Sequence, residues 1–128
     1  MSIKMSLWKV NGKALEEVHP SRLELEQRLE DWLAKDPSLT GMNILLIGRQ
    51  VQSDFGGRID LLGMDEDGNL VVFELKRDKT PRDIVAQTLD YASWVKDLSY
   101  EELEEIAREF LGKPLREAFE ERFETPLP

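Results

Sequence analysis

A chain of 128 residues, 41% hydrophobic and 34% charged, is expected to fold as one soluble globular domain that buries about two-thirds of the surface its unfolded chain exposes. It has no Cys and a single His, His19, which excludes disulfides, thiol catalysis and Cys-ligated zinc and argues against a His-based triad or a His-rich metal site. The net charge of −9 argues against a protein that coats nucleic acid electrostatically, although Lys76, Arg77, Lys79 and Arg82 form a local basic cluster and local sign can outweigh the total. No apolar run is long enough for a membrane span and no signal-peptide pattern opens the chain, so the expected setting is cytoplasmic and away from membranes.

Residues 6–18, SLWKVNGKALEEV, read as a β-hairpin around Asn11-Gly12, the dipeptide that a type I′ turn favours. His19, ahead of Pro20, is a linker residue. Ser21-Arg22-Leu23-Glu24 is a capping box that opens a helix to about Lys35. Its buried stripe is expected to be Leu25, Leu29, Trp32 and Leu33, with Glu26 at the edge and Glu30 further round. Residues 42–52 form the first central strand, after a break at Gly41. Asp54-Phe55-Gly56-Gly57 then turns the chain. Paired glycines let backbone N–H groups approach a ligand such as a DNA phosphate, and a plain tight turn explains them equally well.

The stretch Gly57–Lys76, GRIDLLGMDEDGNLVVFELK, organises the rest. It reads as two strands joined by the loop Asp65-Glu66-Asp67-Gly68-Asn69. That loop sets Met64 opposite Leu70, Leu62 opposite Val72, Asp60 opposite Glu74 and Arg58 opposite Lys76. Alternation then places Asp60, Glu74, Arg58 and Lys76 on one face and Ile59, Leu61, Val71, Phe73 and Leu75 on the other. Two adjacent carboxylates repel unless a cation sits between them, and Mg²⁺ takes such hard oxygen ligands. Lys76, two residues past Glu74, points the same way and can reach an attacking water or a phosphate, a constellation for metal-assisted hydrolysis. An acid-x-Lys triplet alone carries little, since roughly one or two arise by chance in a chain this acidic; a surface hairpin with a cross-strand ion pair is the plainer alternative.

Thr80 as N-cap and Pro81 at the first position start a second long helix to about Asp97. Ile84, Gln87, Tyr91, Val95 and Leu98 share one face, with Gln87 and Tyr91 stacked one turn apart. A Gln on an apolar face suits the orientation of a water, a metal ligand or a phosphate; a Gln satisfied by backbone beside a core Tyr is the alternative. Ser99-Tyr100-Glu101-Glu102 is a second capping box, opening a helix that ends near Gly112, with Tyr100, Leu103, Ile106, Ala107 and Phe110 on its apolar side. Leu115, Ala118, Phe119 and Phe123 suggest a last short helix. The acidic outer faces of these helices repel DNA, so they are expected to pack or to pair in a homodimer. The organisation is thus a single domain, 1–128, with a hairpin at 6–18, a core at 21–97, terminal helices at 99–123 and a linker at 124–128 that suits a further C-terminal domain.

Asp60 with Glu74-x-Lys76 resembles the core motif of the PD-(D/E)xK nuclease superfamily. The wording GGRIDLLGMDEDGNLVVFELKR is similar to the NucS-type (RecB-like) mismatch endonuclease domain and its uncharacterised relatives, over roughly residues 21–95. Arg58-Ile59 stands where the superfamily name has Pro. The resemblance implies an α/β fold, a mixed central β-sheet flanked by helices, restriction-endonuclease-like, and a Mg²⁺- or Mn²⁺-dependent endonuclease that hydrolyses phosphodiester bonds of branched, mismatched or other DNA in repair or processing. It implies a metal held by Asp60, Glu74 and the Leu75 carbonyl with an acid of the first helix. Glu26 matches the family's acid-x-x-apolar helix start, Glu30 is the fallback, and a merely solvated Glu26 remains open. Lys76 would position or deprotonate the water, Gln87-x-x-x-Tyr91 resembles the family's supporting Q-x-x-x-Y element, and Arg58, Arg77, Lys79, Arg82, Gly56 and Gly57 would meet DNA. The site is expected on one sheet face, beneath both long helices. Two other classes stay open: an inert nuclease-fold module that binds DNA or protein, and a structural or dimerisation domain of a larger protein.

Overall fold

The computed structural model describes residues 3–5, 22–54, 56–75 and 81–128. Four strands form one mixed sheet in the order β1-β4-β3-β2: β1 (Ile3–Met5), β2 (Ile44–Gln52), β3 (Arg58–Asp65) and β4 (Leu70–Phe73). β2, β3 and β4 run antiparallel, and β1 adds a parallel edge with Ile3 opposite Leu70. Four helices complete the domain: α1 (Arg22–Lys35), α2 (Pro81–Lys96), α3 (Tyr100–Leu111) and α4 (Leu115–Phe123), with a 3-10 turn at Pro37–Thr40. The mixed α/β class is as expected and is compatible with a restriction-endonuclease-like fold. The expected hairpin at 6–18 lies outside the described residues.

Burial on both faces explains the sheet. Leu61, Val71, Phe73 and Leu75 pack with Leu33 of α1 on one side. Leu62, Met64, Leu70 and Val72 pack on the other side with Tyr91 and Val95 of α2, Leu103 and Ala107 of α3, and Leu115 and Phe119 of α4. A strand covered on both faces must be apolar at successive positions, and 62–64 and 70–73 obey this. Each fully buried Leu or Phe here stabilises the fold by about 1.5–3 kcal/mol.

The hairpin register follows the expectation, with Leu62 opposite Val72 and Met64 opposite Leu70. Asp65 is the last residue of β3 and is buried. Its Oδ1 accepts the N–H groups of Asp67 and Asn69 at 3.0 and 2.9 Å, and its Oδ2 accepts the Asn69 amide at 3.1 Å, so this side chain shapes the turn. α3 carries the expected capping box, Ser99 with Glu102, and ends on a left-handed Gly112. It lies close on β2 because residue 48 is glycine: a Cβ there would stand 2.6 Å from Val51 Cγ2 and 3.4 Å from Ile106 Cγ2. Leu127 packs against the same core, so the tail read as a linker lies on the domain.

Three expectations of burial are corrected. Trp32 and Phe110 are 44% and 40% exposed, because Leu33 and Ala107 take the inward places on their helices. Ile59 joins Leu62 beneath α2 and α3 and does not share a face with Leu61, so alternation breaks once between residues 59 and 62.

Candidate active site

The last bridge of the β3–β4 ladder is Leu61 with Phe73. One step beyond it stand Asp60 and Glu74, the two acids expected to oppose each other. Here the strands part, and side chains take over from the ladder. Asp60 Oδ2 accepts the Leu75 N–H at 2.8 Å, and Glu74 Oε1 accepts the Asp60 N–H at 3.4 Å. Both acids are buried, Asp60 to 3% and Glu74 to 5% exposure. Each carboxylate therefore reaches across to the other strand, in one fork.

A third buried acid comes from α1, and it is Glu30, 6% exposed. The helical wheel put it further round than Glu26; the inward set of α1 instead centres on Leu29, Glu30 and Leu33. Glu26 lies one turn earlier in α1, and its side chain is outside the described residues. Glu30 is held by β2. Arg49 Nε donates to Glu30 Oε1 at 2.7 Å while its Nη2 donates to Asp31. Gln50 Nε2 donates to both Glu30 oxygens at 3.1 and 3.0 Å and to Asp60 Oδ1 at 3.3 Å. The hydrogen bond from Arg49 holds the Asp31 carboxyl below the ordinary carboxylate range, and Asp31 and Glu30 together push the guanidinium further up. Nothing in the sequence reading singled out Arg49 or Gln50; an Arg-Gln pair inside an apolar strand is the signal that could have.

The Gln87 and Tyr91 side chains meet as expected, Gln87 Nε2 donating to the Tyr91 hydroxyl at 3.0 Å. Tyr91 belongs to the cluster opposite α1, so the two long helices lie on opposite faces and the expectation of a site beneath both is corrected. Tyr91 meets the sheet at Gly57, where an added Cβ would stand 2.2 Å from its hydroxyl oxygen. Close approach of a tyrosine, in addition to any turn, thus accounts for the second glycine. Arg58 does not turn to the acids: its Nε donates to Gln52 at 3.2 Å, and it lines a cleft of about 500 Å³ with Arg49, Gln50, Ile106 and the exposed Phe110. Arg82 is exposed at the start of α2, as is Gly56 before β3. Lys76, Arg77 and Lys79 lie outside the described residues.

The oxygens gathered here are carboxylate oxygens, the hard type that a Mg²⁺- or Mn²⁺-type ion takes, with the Gln50 amide nitrogen between two of them. Among the described residues no three acidic side chains close on a single point; Glu30 and Asp60 share the Gln50 amide instead. The fold that carries this fork of buried acids is a mixed α/β domain compatible with a restriction-endonuclease-like architecture. Residues 25–109 match the family model described as the Endonuclease NucS C-terminal domain, and the chain belongs to that family. It is 33% identical over 85 residues to Endonuclease NucS of Sulfolobus acidocaldarius, covering 64% of this chain and 34% of that protein. The chain thus spans about a third of the length of that relative. No solved structure matches it.

Proposed function

We propose that this chain is a nuclease domain of the PD-(D/E)xK superfamily, a Mg²⁺- or Mn²⁺-dependent endodeoxyribonuclease that hydrolyses phosphodiester bonds in DNA repair or processing. The observation that carries the reading is the burial of Asp60, Glu74 and Glu30, with Glu74 accepting the Asp60 N–H and the Gln50 amide joining Asp60 to Glu30. Membership of the NucS C-terminal domain family supports it.

Asp60 and Glu74 would hold the ion, with the Leu75 carbonyl and the helix acid, Glu30 or Glu26, beside them. When bound, the ion supplies Lewis-acid polarisation of the phosphoryl group and a more acidic water. Lys76 would position the attacking water and balance charge on the phosphoryl oxygens. Gln87 acts through Tyr91, which fixes Gly57 and with it the entry to β3. Arg58, Arg77, Lys79 and Arg82 meet phosphates, Arg58 from the cleft that also reaches Gln50.

The reciprocal bonds of Asp60 and Glu74 to backbone favour a second reading, an inert module whose acids only close the fork. Asp60→Asn separates the two, since an amide oxygen still accepts the Leu75 N–H but lacks the charge. Nicking of branched, mismatched and plasmid DNA with Mg²⁺ or Mn²⁺ is expected from the wild type and lost in Asp60→Asn, Glu74→Gln and Lys76→Ala. Cleavage that survives all three substitutions would sink the assigned roles.

A further inference from the structure

Successive side chains of a strand face opposite ways, and β2 breaks this rule twice, at an irregularity between Leu46 and Gly48 where the register against β3 shifts and again between Arg49 and Gln50. Gly48 and Val51 both look toward α3, the glycine by its contact distances and the valine by its cluster. The two residues between them, Arg49 and Gln50, both donate to Glu30 on the other face. The reversal is made at Gln50, whose φ of +51° is left-handed, a conformation that strains any residue with a Cβ and that collects at functional sites. What the strain achieves is one amide nitrogen within 3.0–3.3 Å of two buried carboxylates on different elements.

We infer that Gln50 is the positioning residue of this site: its carboxamide keeps Glu30 and Asp60 aimed at a common point and gives that point up to a divalent cation. This rests on reading the fork as a metal centre. Two like charges side by side separate unless a donor lies between them, and the amide hydrogens fill that role without adding formal charge. Carboxylate oxygens that held a divalent cation between them would leave no room there for the amide hydrogens, so the amide would have to give way. Gln50 is exposed to solvent, which leaves its side chain room to swing out or to turn its own oxygen inward.

The test is Mn²⁺ affinity by calorimetry, with thermal midpoints, for wild type, Gln50→Gly and Gln50→Met. Glycine removes the amide and relieves the left-handed backbone; methionine removes the amide and keeps the bulk. Loss of an outer partner of metal ligands typically weakens affinity about 10–100-fold, and that loss is expected in both variants, with the glycine variant melting no lower than wild type. On Mg²⁺ titration the side-chain amide signals of Gln50 are expected to shift in the wild-type nitrogen–proton spectrum. Equal or tighter Mn²⁺ binding in both variants, or Gln50 signals unmoved by Mg²⁺, overturns the role of Gln50 alone. A wild type that binds no Mn²⁺ overturns the metal-centre reading and this inference with it.

Discussion

Replacing Arg49 with Met tests whether the acid cluster is held as a unit. Met keeps an unbranched apolar stem and loses the guanidinium, which in the wild type reaches Glu30 at 2.7 Å and also Asp31. The Glu30 side chain is 7% exposed and the Arg49 side chain 29%. Removing one partner of a fully buried ion pair costs about 3–5 kcal/mol, because the surviving charge stays in the interior. An exposed pair contributes about 0–1 kcal/mol. Glu30 is interior, Arg49 sits at the boundary and Gln50 still donates to the stranded carboxylate, so the cost should be about 2 kcal/mol. For a domain of this size that is a fall in Tm of roughly 6–12 °C. Circular-dichroism melts read the shift, and urea titration should show a lower midpoint at an unchanged slope. Glu30→Gln removes the charge that Arg49 compensates, so the double variant should cost at least about 1 kcal/mol less than the sum of the singles. Strict additivity, or a melt within about 2 °C of wild type, refutes the view that Arg49 holds Glu30 in place.

Gly57→Ala should destabilise by about 1–3 kcal/mol, since the new methyl meets the Tyr91 hydroxyl; Tyr91→Phe in the same chain should restore part of that in thermal melts. Asp65→Ala removes three hydrogen bonds from the β3–β4 turn and should cost about 1.5–3 kcal/mol by urea unfolding. The Asp31 carboxyl is held below its ordinary value of 3.8 by Arg49. A depressed carboxyl adds stability above its unfolded pKa and loses it as pH falls through the folded one. The stabilities of wild type and Asp31→Asn, compared from pH 6 downward, should therefore differ above about pH 4 and converge below it.

What could be read in the sequence was whatever depends on regular periodicity. The hairpin register is legible because the loop 65–69 sets Met64 opposite Leu70 and Leu62 opposite Val72, and a slip of one residue would drive the charges of Asp60 and Glu74 into apolar positions. Ser99 and Glu102 are legible as a cap because the motif is local and its geometry stereotyped. Gln50 was illegible for the opposite reason. Glycine and asparagine announce a left-handed residue, but glutamine does not, and the face of Gln50 depends on that one dihedral. On a wheel whose stripe includes Trp32, Glu30 sits further round than Glu26, and the resemblance to the family's acid-x-x-apolar helix start points to Glu26; the structure shows Glu30 buried and Trp32 exposed. With Trp32 turned out, the inward side of α1 rotates toward residue 30.

The departure at Arg49–Gln50 and the departure in β3 are one event, separate from the irregularity between Leu46 and Gly48. In the β2–β3 ladder Arg49 lies opposite Leu61 and Val51 opposite Ile59, so the break at residues 49–50 faces the break between 59 and 62. Were Gln50 to alternate with Arg49, its amide would turn away from Glu30 toward the α3 face. Glu30 and Asp60 would then share no donor, and two buried carboxylates would stand without the group between them. The strain at Gln50 is thus offset by polar satisfaction across three elements, and its sign is testable against a second backbone position, Gly57. Adding a methyl at Gly57 should lower the melting temperature, whereas removing the Gln50 side chain to glycine should leave the melt intact and weaken only what the acids bind.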